Sequence, residues 1–228
     1  MAKLDSILKF RGTFAGMTLV QSRTYGEHLR MPRRADVNES FKKMQVISRS
    51  IITPRAQLIK NRVNPFLTFS FKDGTLWSRL LSFFHEQQTN CGGTNFKALS
   101  GFEINSKYPL SRILHSVSRI EQQHDTSIEL SLSTLATRSF VKGHSDSYRL
   151  RLISLFVPED HTMATTSLLI LPMVSKEEQV TQRATIGIPE GTATLIVFLD
   201  CEYCYNGEPL PRMAARGMRV EMVVKLRD

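Results

Sequence analysis

From about residue 96 onward, apolar and polar side chains alternate in short stretches, the period of a strand with one face on a core. Seven such stretches fall near 112–121, 127–133, 147–157, 166–174, 180–188, 193–205 and 216–226. Between them stand turn-forming sequences: Gly143-His144-Ser145-Asp146, Pro158-Glu159-Asp160, Pro189-Glu190-Gly191 and Asn206-Gly207-Glu208-Pro209. Short strands joined by polar turns predict an antiparallel β-sandwich.

The first third has a different rhythm. Met17–Gln21 and His28–Met31 flank Thr24-Tyr25-Gly26-Glu27, which reads as a hairpin with Gly26 free to take a positive φ. Pro32 ends it, and Asp36 or Asn38 offers a helix cap. Phe41, Met44, Ile47, Ile51, Leu58 and Ile59 then recur at helical spacing, with Pro54 expected to kink the helix or split it in two. The opposite face carries Lys42, Arg49, Thr53 and Lys60, a basic stripe. Phe66–Lys72 is short and apolar and closes at Asp73-Gly74. Thr75 could cap a further helix over Leu76–Gln88, whose Leu76, Leu80, Phe83 and Phe84 form one apolar face. Gln87–Thr94, with Cys91-Gly92-Gly93, is the expected boundary. The reading is therefore α+β: a hairpin and helical domain over 1–90, then a mostly antiparallel β-sandwich domain over 91–228.

Composition narrows the function classes. The chain has 228 residues, 41% hydrophobic and 22% charged, which excludes wholesale disorder and repetitive fibres. Three cysteines cannot build a framework of paired bridges, and this points to a reducing, cytoplasmic setting. The start opens no signal-like apolar run, and Leu168–Leu171 and Leu195–Leu199 fall far short of the roughly 20 residues that cross a bilayer. No membrane partner is expected. The formal charge is +9, and residues 1–86 hold 15 Lys or Arg against 6 acids, leaving 15 of each for the remainder. All the excess is in front, which favours contact with something anionic.

Complete catalytic constellations are missing from the sequence. Cys201 and Cys204 form a lone CxxC among β-formers, where side chains three apart point to opposite faces, so they read as packing residues. The six histidines show no metal-binding spacing, and nothing singles out a partner for a Cys91 nucleophile. Asp200 and Glu202 share one strand face and read as solvated, with Tyr203 and Tyr205 turned away. Gly12-Thr13-Phe14-Ala15-Gly16 lacks the lysine and hydroxyl that complete a phosphate loop and reads as a tight bend. No catalytic residue, metal site, cofactor or small-molecule substrate is assigned. The candidate interaction residues are the cations Arg30, Arg33, Arg34, Lys42, Arg49, Lys60 and Arg62.

Phe10-Arg11-Gly12-Thr13-Phe14-Ala15-Gly16, a strand, Tyr25-Gly26, Leu29-Arg30-Met31-Pro32, a cap and a long helix together resemble the start of a family of uncharacterised Bacteroidota proteins. The resemblance continues through Asn64–Phe71, Phe102-Glu103-Ile104-Asn105 and Tyr108-Pro109. It implies a helical N-terminal part followed by a β-sandwich and transfers no catalytic residue. The chain departs from the family in lacking a Gln-rich helix start and in its helical proline. The expected function is a non-enzymatic structural or protein-interaction module of a larger assembly, acting on a protein partner or by self-association. Sequence-nonspecific nucleic-acid binding through the basic first third is the alternative.

Overall fold

The computed structural model describes residues 13–14, 17–22, 26–30, 39–91, 95–137, 145–160 and 163–226. The chain divides into two compact units, Met1–Val46 and Ile47–Asp228. In the first, β1 (Thr13–Phe14), β2 (Met17–Ser22) and β3 (Gly26–Arg30) form an antiparallel sheet with Leu19 opposite Leu29 and Val20 opposite His28. The hairpin read from the sequence is there; its turn at 23–25, the Asp36 and Asn38 caps and most of the Gly12–Gly16 bend lie outside the described residues.

Helix α1 (Glu39–Ile47) runs into a π-helical turn, Ser48–Ile52, and then α2 (Thr53–Val63). Pro54 sits in the first turn of α2, just after the widened turn. There its missing N–H and its ring, which would clash with a carbonyl one turn back in a regular helix, are accommodated. The extra residue of a π turn also rotates every later side chain, so the apolar stripe read straight through from Phe41 to Ile59 changes phase. Ile52, Ala56, Ile59 and Val63 are buried, while Ile51 is exposed. Two 3-10 turns, Asn64–Phe66 and Phe69–Phe71, lead to α3 (Leu76–Cys91), which buries Leu76, Leu80 and Phe84.

The remaining strands are β4 (Leu114–Gln123), β5 (Ser127–Ala136), β6 (Ser147–Pro158), β7 (Thr165–Ile170), β8 (Val174–Ser175), β9 (Val180–Gly187), β10 (Thr192–Tyr205), β11 (Glu208–Pro209) and β12 (Arg216–Lys225). All pair antiparallel, and the class is α+β. One sheet runs β11-β10-β6-β7, with β12 also on β10 and β8 on β6; a smaller sheet runs β4-β5-β9. Asn206 (φ 50°) and Gly207 (φ 82°) both take the left-handed region that a two-residue turn between β10 and β11 requires.

Alternation along β6 and β10 sorts their side chains between two cores. Leu150, Leu152, Leu195, Val197, Leu199, Cys201 and Tyr203 meet Ile128, Leu130, Leu132, Ala184 and Ile186 of the smaller sheet. Ile153, Leu155, Ile196, Phe198, Met218 and Val220 instead pack under Ile52, Ala56, Ile59, Leu80 and Phe84 of the helices. The larger sheet is thus covered on both sides. The boundary expected near residue 90 therefore falls inside the second unit, because the helices up to Cys91 share a core with the strands. A glycine-rich, polar stretch reads as a linker in sequence but cannot reveal that the apolar faces on either side of it pack together.

Gly217 marks the tightest approach in this layering: a Cβ there would stand 2.6 Å from the Leu110 Cα and 3.2 Å from the Ile113 Cδ1. Backbone cannot yield as a side-chain tip can. Gly217→Ala is expected to destabilise the protein by about 1–3 kcal/mol, the usual cost of overpacking, read as a lower urea midpoint with an unchanged slope.

Candidate interaction site

Covering both faces of β10 has a chemical consequence, since its even-numbered side chains include two acids. Asp200 is fully buried and Glu202 nearly so. They share one face, but it is not the solvated face that simple alternation predicts; the helical side of the unit covers it. The register sets Asp200 opposite Arg151, and Glu202 opposite Arg149 on one side and Arg216 on the other. Arg151 donates through Nε to Asp200 (2.7 Å) and through Nη2 to Glu202 (2.8 Å). Arg149 Nη2 reaches Glu202 at 3.0 Å. Arg216 donates through Nε to Asp200 at 2.9 Å and through Nη2 to the Phe66 carbonyl at 2.8 Å, while its guanidinium lies 4.9 Å from the Phe71 ring centroid. Three cations hold two carboxylates, and Arg216 ties the sheet to the 3-10 turns before α3.

Two further ionic clips complete the frame. A β-bulge in β12 skips Glu221, whose carboxylate accepts from Arg219 Nε (2.9 Å), Ser116 Oγ (3.1 Å) and Ser118 Oγ (3.0 Å), linking the two sheets. Asp73 accepts from the Thr75 hydroxyl and N–H, from Ser106 and from Arg79. Burial alone would raise the Asp73 pKa; the hydrogen bonds from Thr75 and Ser106 outweigh it and hold the carboxyl below its ordinary range. Glu103 goes the other way: burial raises its pKa despite N–H donation from Leu110 and Ser111.

The candidate cations of the first third stand apart from these networks. Arg33 and Arg34 lie outside the described residues, and the backbone of Arg30 closes β3. Lys42 of the first unit is exposed; in the second unit Arg49 and Arg62 are exposed and Lys60 is half-buried, its ammonium 5.2 Å from the Trp77 ring centroid. Arg79, Arg149, Arg151, Arg216 and Arg219 form the ion pairs described above. None involves Lys42, Arg49, Lys60 or Arg62.

The candidate chemistry disperses. Cys201 is buried between the sheets and Cys204 on the other side of β10, as strand geometry requires; burial pushes both thiol pKa values up, which disfavours the thiolate. Exposed Cys91 lines an open cavity of about 560 Å³ with Phe83, Glu86, Gln87, Asn90 and Lys97, and no histidine contributes to that lining. His85 is instead bonded to Ser48 at 3.1 Å, and His124 to Gln122. Tyr203 does turn away from Glu202, as expected, and donates to the Ile113 carbonyl. Among the described residues no group of three His, Cys, Asp or Glu is placed to hold a metal, and no helix is long and apolar enough to cross a membrane. What sequence reasoning missed is the Arg149, Arg151 and Arg216 cluster. Its signal is faint: alternate arginines in β6 and alternate acids in β10, with nothing to announce that the strands are neighbours.

No family model matches the chain, and no curated protein does. The chain shows a slight likeness to the crystal structure of a candidate ApaA protein from Bordetella pertussis, with a TM-score of 0.26 and 12% identity over 47% of this chain and 90% of that one.

Removing the Arg216 side chain leaves Asp200 buried with one cation and strips a donor from the Phe66 carbonyl. Arg216→Ala is expected to cost about 3–5 kcal/mol in chemical denaturation, whereas Arg149→Ala, whose side chain is 28% exposed, should cost about 1 kcal/mol or less. The Asp73 pKa is depressed on folding, so its stabilisation is complete above the unfolded value of about 3.9 and is lost as pH falls through the folded one. Asp73→Asn should lower stability at neutral pH by about 1.5–3 kcal/mol and flatten the decline between pH 5 and pH 2, measured by unfolding at a series of pH values.

Proposed function

We propose that the chain is a non-enzymatic protein-interaction module of a larger assembly, docking an acidic partner through the cations of its first third. The observation that carries this reading is the division among basic side chains. Arg149, Arg151, Arg216 and Arg219 of the strands are consumed internally by Asp200, Glu202 and Glu221, whereas Lys42, Arg49 and Arg62, close together in the sequence, are exposed and enter no ion pair among the described residues. A cation with no internal partner keeps its full field for an outside one. The segment Glu39–Val63 carries six Lys or Arg against one acid.

The same cations would serve phosphates, and sequence-nonspecific nucleic-acid binding is the second reading. Single strands, however, are gripped by aromatic stacking as well as charge. Here Phe71, Phe84 and Phe96 are buried, and Trp77 is half-buried beneath Lys60. That favours a protein partner over an unstacked nucleic acid. Free Cys91, Cys201 and Cys204 support a reducing, cytoplasmic setting, and the resemblance to uncharacterised Bacteroidota proteins supplies an architecture without an activity.

Titrations with a polyglutamate peptide and with a short DNA duplex at several salt concentrations test the reading. Polyglutamate binding should weaken with salt and fall tenfold or more in a Lys42→Glu, Arg49→Glu, Arg62→Glu variant. Binding of duplex alone, with a salt slope near −0.9 per phosphate contact, would transfer the assignment to nucleic acid; absence of both would remove it.

A further inference from the structure

Among the described residues of the second unit, the edges of β12, β4, β9 and β11 are shielded from strand addition. The outer edge of β12 is covered by an extended segment: Gly101 N–H donates to Val220 O (2.7 Å), Val220 N–H to Phe102 O (2.9 Å) and Ile104 N–H to Met218 O (2.9 Å). Edge strand β4 carries Arg119 and Glu121 and a bulge between Ile120 and Gln122. β9 carries Arg183, and β11 is two residues long and ends in Pro209. Charges, bulges, prolines and covers are the devices by which sheet edges avoid pairing with other chains.

β7 has none of them. Its six residues, Thr165-Thr166-Ser167-Leu168-Leu169-Ile170, hold no charge and no proline, and its ladder with β6 is regular. Among the described residues nothing pairs with its other edge. Leu168 is 44% exposed and Ile170 56% exposed. Opposite Ile153 and Arg151 in the register, they lie on the face that the helices cover farther in.

We propose that β7 pairs with β7 of a second copy, extending the larger sheet across a twofold axis centred on Leu168. Antiparallel neighbours must point the same way out of the sheet; of the registers that satisfy this, the one that sets Leu168 against its own counterpart brings the exposed Leu168 and Ile170 of both copies together. Thr166 then meets Ile170, and Ser167 meets Leu169. The exposed leucines and isoleucines of both copies merge into one apolar strip. Charge selects the occupant: a twofold axis sets the residue on it against its own copy and gathers both copies of its neighbours, which a charged strand could not tolerate and this uncharged one can. A six-residue strand pair belongs with interfaces below about 1,200 Å², so the dimer is weak and reversible. It is independent of the basic residues, and because two copies of net charge +9 repel one another, added salt strengthens it, opposite to the effect on docking an anion.

Sedimentation velocity over a concentration series on the full chain, without any partner, should show reversible monomer–dimer exchange that shifts toward dimer with salt. Leu168→Lys, which puts two ammonium groups on the axis at an already exposed position, should leave a folded monomer, whereas Met163→Lys, 80% exposed and outside the strand, should leave the dimer intact. In a Cys91→Ser background, Leu168→Cys should be joined into a covalent dimer by a short bis-maleimide, since opposed Cβ atoms about 4.5–5.5 Å apart lie within its span. A chain that stays monomeric throughout, or a dimer that survives Leu168→Lys and does not cross-link through position 168, overturns the proposal.

Discussion

The two acids on the helix-facing side of β10 set the terms for the rest of the second unit. A carboxylate taken out of water carries a desolvation penalty of several kcal/mol unless cations and donors meet it, and Asp200 is fully buried. Neighbouring strands must therefore supply arginine at the facing positions. Arg151 and Arg149 come from β6 and Arg216 from β12. Because Arg216 also holds the Phe66 carbonyl and lies over Phe71, the demand of a buried acid extends into the turns that orient α3. The order β6-β10-β12 and the seating of the helical layer are thus bound together by one electrostatic requirement. A shifted strand would leave charge without a partner, so the network specifies register as well as holding it.

Strands and turns were largely legible in the sequence. Alternation located β4, β5, β6, β9, β10 and β12 within a few residues, and Asn206-Gly207 declared its hairpin. The stretch read as one strand over 166–174 breaks into β7 and β8 at Pro172, whose missing N–H suits a gap in a ladder. The helical register was not legible, because one extra residue in Ser48–Ile52 rotates all that follows and no propensity marks a π turn. Nor was the burial of Asp200 and Glu202. Alternation tells which residues share a face, and it is silent on whether a second layer lies over it.

For the functional residues the balance is similar. Segregation of charge could be counted directly, and the structure adds the distinction that a count cannot make, between a guanidinium satisfied inside and a cation left facing water. Arg216 and Arg62 are alike in composition. One is hydrogen-bonded in the interior, the other exposed on α2.

The extended segment Gly101–Ile104 along β12 bears on how far a sheet of this kind could grow. Strand addition that repeats at both flanks propagates into a filament, whereas addition at a single flank closes after one step. With β12 occupied by its own chain and β11 cut short by Pro209, lateral extension of the larger sheet is left, among the described residues, to β7, and pairing there would end with two copies.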